Sequence, residues 1–470
     1  MVLSRRRFLA LSKALAAGSI LAGCTTDGSG HSSTPEPVGS DTPTATPTDT
    51  ESPPGSSAPD GSPTTPESPT KPTGDAIQWS TRIGPPIRHG PAIHDGVVYI
   101  GGGTNDRATG DEEYLRPDTS ENLTAVAADD GDHQWQHEAP AGIMTTPVAN
   151  PAGVFVVIGW NAGTHGRAQR LIRLDPGGSA RWTSTSVDSF LRPVALANGT
   201  VYLGTSDDAF GFEGERLWAL TIDDGAERWD VDAGDIRSAT VDGETLYAIE
   251  GGRRTTAFAT DDGTERWYRS MAPAGRDARL FDDSLYLRSQ EQNDNGNYPV
   301  VAVTAADGND RWRFSARVDE PFVPTGAVAD TDTVYITEYD GWLFAVNADD
   351  GTEQWRRSVA GETRDSPVLA SDTIYLPAMD GTVHAIDATT GEERWSQTVG
   401  GFPSIVGVNA AGLFVEGGGK GSSPSLQLYG HDGTERWSFT DTEKLTDPVV
   451  VGTRAIVGTA DGFLLALDES

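Results

Sequence analysis

The sequence predicts an all-β fold, a β-propeller of four-stranded blades, on three observations. Tryptophans recur along most of the chain at spacings of 47, 47, 38, 45, 43, 40 and 42 residues, counted from Trp135. Each closes a copy of one pattern: an apolar strand, an acidic turn containing glycine, then the tryptophan. No segment carries sustained helical periodicity, whereas short apolar runs alternate with glycine turns. A β-rich repeat of about 40–50 residues describes a propeller blade, because one such unit cannot bury its hydrophobic faces alone.

The clearest copy is Ala385-Ile386-Asp387-Ala388-Thr389-Thr390-Gly391-Glu392-Glu393-Arg394-Trp395. Close copies end at Trp135, Trp229, Trp267, Trp312 and Trp355, and copies one residue shorter end at Trp182 and Trp437. In the seventh unit the four strands are expected at 367–369, 373–376, 382–386 and 393–396. Turns such as Asp95-Gly96, Asn198-Gly199, Asp242-Gly243, Asp340-Gly341 and Asp461-Gly462 supply the positive φ that tight hairpins need. Residues 445–468 supply only three strands of a last unit. The missing tryptophan strand lies at the other end, in Ile77-Gln78-Trp79, and pairing it with 464–467 would close the ring and leave no open sheet edge.

The segments before the propeller read as an address. Arg5-Arg6-Arg7-Phe8-Leu9 precedes a short apolar run that ends in Leu21-Ala22-Gly23-Cys24. That order marks residues 1–23 as a twin-arginine-type lipoprotein signal peptide, with lipidation at Cys24. The run is too short to cross a bilayer, which takes roughly 20 apolar residues. Residues 24–74 are dominated by Ser, Thr, Pro, Gly and acidic residues with one sizeable apolar side chain, Val38. They are expected to form a disordered stalk between the anchor and the propeller at 75–470. The expected location is the extracytoplasmic face of the cell membrane.

Charge narrows the setting. Against 69 Asp+Glu stand 35 Lys+Arg, a net charge of −34, and only four of those cations are lysine. A carboxylate-rich, lysine-poor surface suits a halophilic protein, where salt screens self-repulsion. The same balance argues against a nucleic-acid partner, which needs clustered Lys and Arg. A single cysteine excludes an intramolecular disulfide and any multi-cysteine metal centre.

The Ala-x-Asp-x-x-Thr-Gly-x-x-x-Trp copies resemble the tryptophan-docking repeats of the PQQ-like, or quinoprotein alcohol dehydrogenase-like, β-propeller family. The resemblance covers essentially all of 75–470. It implies eight blades, against nine units counted here, so eight to nine are expected. The family contains dehydrogenases that hold pyrroloquinoline quinone (PQQ) with Ca²⁺ on the propeller axis. It also contains cofactor-free members, such as the lipoprotein subunit of the outer-membrane β-barrel assembly machine, which acts as a scaffold. Fold alone does not choose between them. The residues lean away from an enzyme: the vicinal disulfide and haem motif of many quinoprotein dehydrogenases have no cysteines here to form them. No Ser/His/Asp elbow or paired-His spacing is present, the eight histidines are scattered, and His384 sits on a regular strand. No catalytic residue and no metal site is expected.

The tryptophans Trp79, Trp135, Trp182, Trp229, Trp267, Trp312, Trp355, Trp395 and Trp437 hold a fixed place in the repeat, so they are expected to dock one blade on the next. Trp160, Trp218 and Trp342 fall outside that place, with Trp160 the candidate exposed aromatic. The acidic turns beginning at Asp129, Asp223, Asp261 and Asp349 sit on different blades and cannot supply the converging oxygens that Ca²⁺ requires. Arg88, Arg192, Arg237, Arg276 and Arg364 each precede a second-strand aromatic by 10 or 11 residues. They are expected at the entries to the innermost strands, on the face that also carries the longer insertions at 101–121, 159–170, 204–216, 288–299 and 416–425. There they form either an arginine crown for an anionic ligand or pairs with nearby carboxylates such as Asp235, Asp277 or Asp365. Asn122 and Asn198 begin N-glycosylation sequons.

Together these features predict an exported, lipid-anchored propeller that works as a non-catalytic binding or scaffold module. No cofactor is expected; its partner is an envelope protein or an anionic extracellular ligand. The alternative is a PQQ-dependent dehydrogenase of sugars or alcohols, with PQQ and Ca²⁺ in the channel.

Overall fold

The computed structural model describes residues 74–84, 87–103, 121–161, 167–187, 189–206, 215–251, 253–274, 280–316, 321–419, 422–441 and 444–469. Residues 1–73 lie outside the described residues. The expected signal peptide and stalk, including Cys24, therefore fall outside them.

The described chain is a ring of nine antiparallel sheets, so the count from sequence units is the one that holds. Blade I spans 92–139, II 142–183, III 190–232, IV 236–269, V 271–314, VI 324–358, VII 368–398, VIII 404–440, and IX 449–467 together with 77–82. Blades I to VIII each run from their innermost to their outermost strand in chain order, and blade IX takes its outermost strand from the start of the propeller. In blade VII these are Val368–Ala370, Thr373–Pro377, Thr382–Asp387 and Glu393–Thr398. The closing strand Ile77–Arg82 pairs antiparallel with Phe463–Leu467 and completes blade IX. The Asp468 N–H donates to the Ala76 carbonyl (2.9 Å) and the Ile83 N–H to the Gly462 carbonyl (2.9 Å), which fastens the closing strand at both ends.

The third and outer strands share an irregularity that explains the residue before each tryptophan. In blade VII, Ala385 pairs with Trp395 but Ile386 pairs with Glu393, so Arg394 is bulged out. Its guanidinium turns back onto the second strand, donating to Thr373 Oγ1 (2.8 Å) and Asp372 Oδ2 (2.8 Å). Arg266 makes the matching bond to Thr245 Oγ1 in blade IV (2.7 Å).

The core lies between blades. One cluster joins Tyr247, Ile249, Ala257 and Trp267 of blade IV to Leu285, Leu287, Val301 and Val303 of blade V. Each tryptophan from Trp79 to Trp395 lies over the turn glycine of the following blade, not of its own copy. A Cβ on Gly131 would stand 2.5 Å from Trp79, on Gly308 2.8 Å from Trp267, and on Gly391 2.7 Å from Trp355. Those glycines also hold φ between about +70° and +85°, so the position excludes side chains twice over.

Gly391→Ala is expected to destabilise by roughly 2–4 kcal/mol, combining overpacking with left-handed strain. Gly199→Ala, also at positive φ but with nothing within 4 Å of the new Cβ, should lose only the strain, about 1–2 kcal/mol. Urea titration of both variants checks the comparison, and equal losses would contradict the docking role of Gly391.

Candidate functional site

The order of strands fixes two unlike faces. The turns joining inner to second and third to outer strands share one face; the entries and the second-to-third connections share the other. The first, the turn face, is acidic and closed on itself. Asp130 Oδ1 accepts the Asp132 N–H (3.0 Å), Asp262 Oδ1 the Thr264 N–H (2.9 Å) and Asp350 Oδ1 the Thr352 N–H (2.9 Å). Side-chain and backbone N–H and O–H donors hold the carboxyls of Asp224, Asp262 and Asp350 below the usual range. These acids cap their own turns on separate blades. Among the described residues no group of three or more His, Cys, Asp or Glu is placed to hold a metal ion.

The second face, the loop face, is built on buried polar struts that no repeat in the sequence announces. Glu121, 4% exposed, accepts the Ile143 N–H (2.7 Å) at the entry to blade II. Gln169 Oε1 accepts the Leu191 N–H (2.8 Å) at blade III, and Asn297 Oδ1 accepts the Phe322 N–H (2.9 Å) at blade VI. Glu250 Oε2 takes the Gly234 N–H (3.1 Å), and Glu338, fully buried, takes the N–H groups of Asp340 (2.9 Å) and Val323 (3.4 Å). The Ile143, Leu191 and Phe322 N–H groups, where the chain crosses between blades, would otherwise be buried without a partner. Burial pushes the carboxyls of Glu121 and Glu338 up, against the lowering effect of their N–H partners.

The predicted arginines enter this frame unevenly. Arg88 lies 3.3 Å from Glu121 and shares that strut, and burial with the charge of Arg88 pushes the neighbouring His89 down to about 4. Arg364 donates to the Tyr339 hydroxyl (2.8 Å), lies 3.2 Å from Glu362 Oε2, and stacks 5.4 Å from the Tyr339 ring centre. Arg192 is half-exposed, with no carboxylate at ion-pair distance among the described residues. The side chain of Arg237 and all of Arg276 lie outside the described residues. Two of the three visible arginines are thus held by Glu121 and Glu362, neither of them among the carboxylates expected from local sequence.

Of the predicted insertions, 104–120, 162–166 and 207–214 lie outside the described residues. The segment 416–425 is not an irregular loop: its strands continue as Gly412–Gly419 and Ser422–Tyr429. The loop at 289–299 is ordered by Asn293, whose Oδ1 accepts the N–H groups of Asn295 (3.0 Å) and Asn297 (3.1 Å).

The docking tryptophans are half-buried or buried. Most donate Nε1–H to a carbonyl of the next blade, as Trp267 does to Ala305 (2.9 Å) and Trp229 to Thr260 (3.0 Å). Trp437 faces blade IX, where ring closure removes the usual turn, and makes a longer bond to the Thr453 carbonyl (3.4 Å). Trp342 stacks on Phe344 at 6.2 Å between ring centres, Trp218 is half-buried with its Nε1 enclosed, and the Trp160 side chain lies outside the described residues. Both sequons sit in regular structure. Asn122 lies on a strand with Thr124 buried, and Asn198 lies in a tight turn with Thr200 buried.

Glu416 is a further acid on this face, half-buried. Burial and the charge of Asp447 push it up to about 7, with Lys444 opposing. The folded state therefore binds this proton more tightly than the unfolded chain, whose carboxyl has its ordinary value of 4.5. That contribution to stability is present below pH 4.5 and is lost as pH rises through about 7. Glu416→Gln is expected to remove this loss, so thermal melts of variant and parent should diverge between pH 5 and 8 in favour of the variant. Parallel curves would contradict a Glu416 carboxyl held above its ordinary value.

Comparison with known proteins places the fold in a family. A family model described as outer membrane protein assembly factor BamB matches residues 119–285, 297–418 and 379–470. No curated protein matches the chain. Among solved structures the chain is similar to BamB from Moraxella catarrhalis, at 16% identity over 69% of this chain and 96% of that one, with a TM-score of 0.48. It is also similar to Sqt1 from Saccharomyces cerevisiae, at 12% identity over 84% and 99%, with a TM-score of 0.47. A europium-containing methanol dehydrogenase is similar at 12% identity over 76% and 85%, with a TM-score of 0.41. The matched segments of the family model span most of the sequence, and the chain belongs to the PQQ-like β-propeller family described as outer membrane protein assembly factor BamB.

Proposed function

We propose that this chain is a non-catalytic docking propeller of the cell envelope. A lipid on Cys24 holds it at the extracytoplasmic surface, and its loop face meets a protein partner. The observation that carries the reading is the family match, whose description is that of a protein assembly factor. The loop face supports it physically. Struts such as Glu121 and Glu338 fix the entries before any partner arrives, and a pre-ordered surface loses less entropy on binding. The PQQ-dependent dehydrogenase reading is less well supported by the same residues. PQQ carries three carboxylates, and among the visible crown arginines two already hold a carboxylate, which leaves Arg192.

Two variants of the full chain test the proposal. Cys24→Ser should move the protein from the membrane fraction to the soluble fraction. Arg192→Glu, on the loop face, should leave the protein folded and membrane-bound but reduce recovery of one envelope protein by affinity capture about tenfold. Unchanged recovery of every captured protein would count against the loop face.

A further inference from the structure

The turn face holds one feature that the loop-face reading does not use. At two junctions an asparagine in the inner turn bridges to the next blade: Asn198 Nδ2 donates to the Gly243 carbonyl (3.1 Å), and Asn409 Nδ2 to the Gly452 carbonyl (2.8 Å). At the ring seam, between blades IX and I, Val451 occupies the register position of Asn409 and has no amide to give. A cleft of about 480 Å³ opens there, within the range of small binding sites.

Its wall and mouth differ in chemistry. Val451, Ile93 and Ala128 form the apolar part, and Val451 is 43% exposed, one of two large apolar side chains exposed among the described residues. Arg454 is fixed in the wall. Its Nη1 donates to the Ala128 carbonyl (2.6 Å), and its Nε lies 3.5 Å from Asp468 Oδ2. Asp95 and Asp129 are exposed at the mouth, and only Asp129 approaches Arg454, at 3.9 Å. Once Asp468 has matched Arg454, the cleft keeps an excess of negative charge beside an open apolar surface.

We propose that this seam cleft is a second docking site, for a basic segment of a protein partner. Methylenes of a lysine or arginine lie on Val451 and Ile93, while the charged head meets Asp95 and Asp129. Long cationic side chains bury their stems on apolar surface in this way, and the acidic turns around the cleft raise the local concentration of cations. The occupant touches both partners of the seam, so it also staples blade IX to blade I.

The test uses the full chain and two labelled pentapeptides, one alternating leucine with lysine and the other leucine with glutamate, followed by fluorescence anisotropy. The lysine peptide should bind, more weakly as salt rises, and the glutamate peptide should not. Asp95→Asn combined with Asp129→Asn changes only exposed groups, and should weaken binding about tenfold. Val451→Ser should weaken it too, and spermidine, a cation without branched apolar groups, should compete poorly. Equal binding of both peptides, affinity within about twofold in the double variant, effective competition by spermidine, or no binding of the lysine peptide up to about 1 mM would each overturn the proposal.

Discussion

Deleting residues 75–82 is expected to abolish the cooperative fold rather than weaken it. That strand supplies the outer edge of blade IX, pairs with Phe463–Leu467, and buries Trp79 against Ile87, Val98, Ile456 and Leu464. Its loss exposes an apolar sheet edge and leaves the ring unlatched where the two ends of the propeller sequence pair. The loss should approach the whole stability of a typical domain, about 5–15 kcal/mol. Thermal unfolding followed by tryptophan fluorescence checks this. The deleted chain should show a broad, shallow transition, and a synthetic peptide of residues 74–84 should restore a steep one. A steep transition without the peptide would contradict closure by this strand.

Trp267→Ala should give the largest effect of any single substitution in the docking series, roughly 3–5 kcal/mol. The indole is 8% exposed, donates to the Ala305 carbonyl (2.9 Å), lies 5.9 Å from the Tyr247 ring, and rests on Gly308. Its removal leaves a cavity between blades IV and V that the glycine cannot fill, and strips one of two donors from that carbonyl, the other being the Tyr247 hydroxyl (3.2 Å). Trp437→Ala, where the bond is longer and no turn glycine follows, should cost distinctly less. Urea unfolding of the two variants measures the difference, and equal costs would contradict the glycine–tryptophan dock.

The blade architecture was legible because its signals are local. Spacing, turn dipeptides and the isolated strand at Ile77-Gln78-Trp79 each act within a few residues, and the ring closes through that strand with Phe463–Leu467. The partnership of glycine and tryptophan was not legible, since within a copy they look like one motif. The structure pairs Gly308 with Trp267, from the preceding copy. The struts were hidden for another reason. Glu121 begins a third strand, Glu338 ends a second strand, and Gln169 and Asn297 do similar work with a different side chain. The task is met from the third strand in some blades (Glu121, Gln169) and from the end of the second strand in others (Glu250, Glu338), so no one position repeats around the whole ring. The pairing of Arg88 was not legible, because it finds Glu121 from 33 residues away.

The central claim is that the propeller docks a protein and turns over no substrate. Calorimetric titration of the full, folded chain with PQQ plus Ca²⁺ in concentrated KCl tests it most directly. The account predicts no saturable heat, with an unchanged melting temperature. Saturable one-to-one binding that is lost in Arg192→Ala would contradict it and make the chain a quinoprotein.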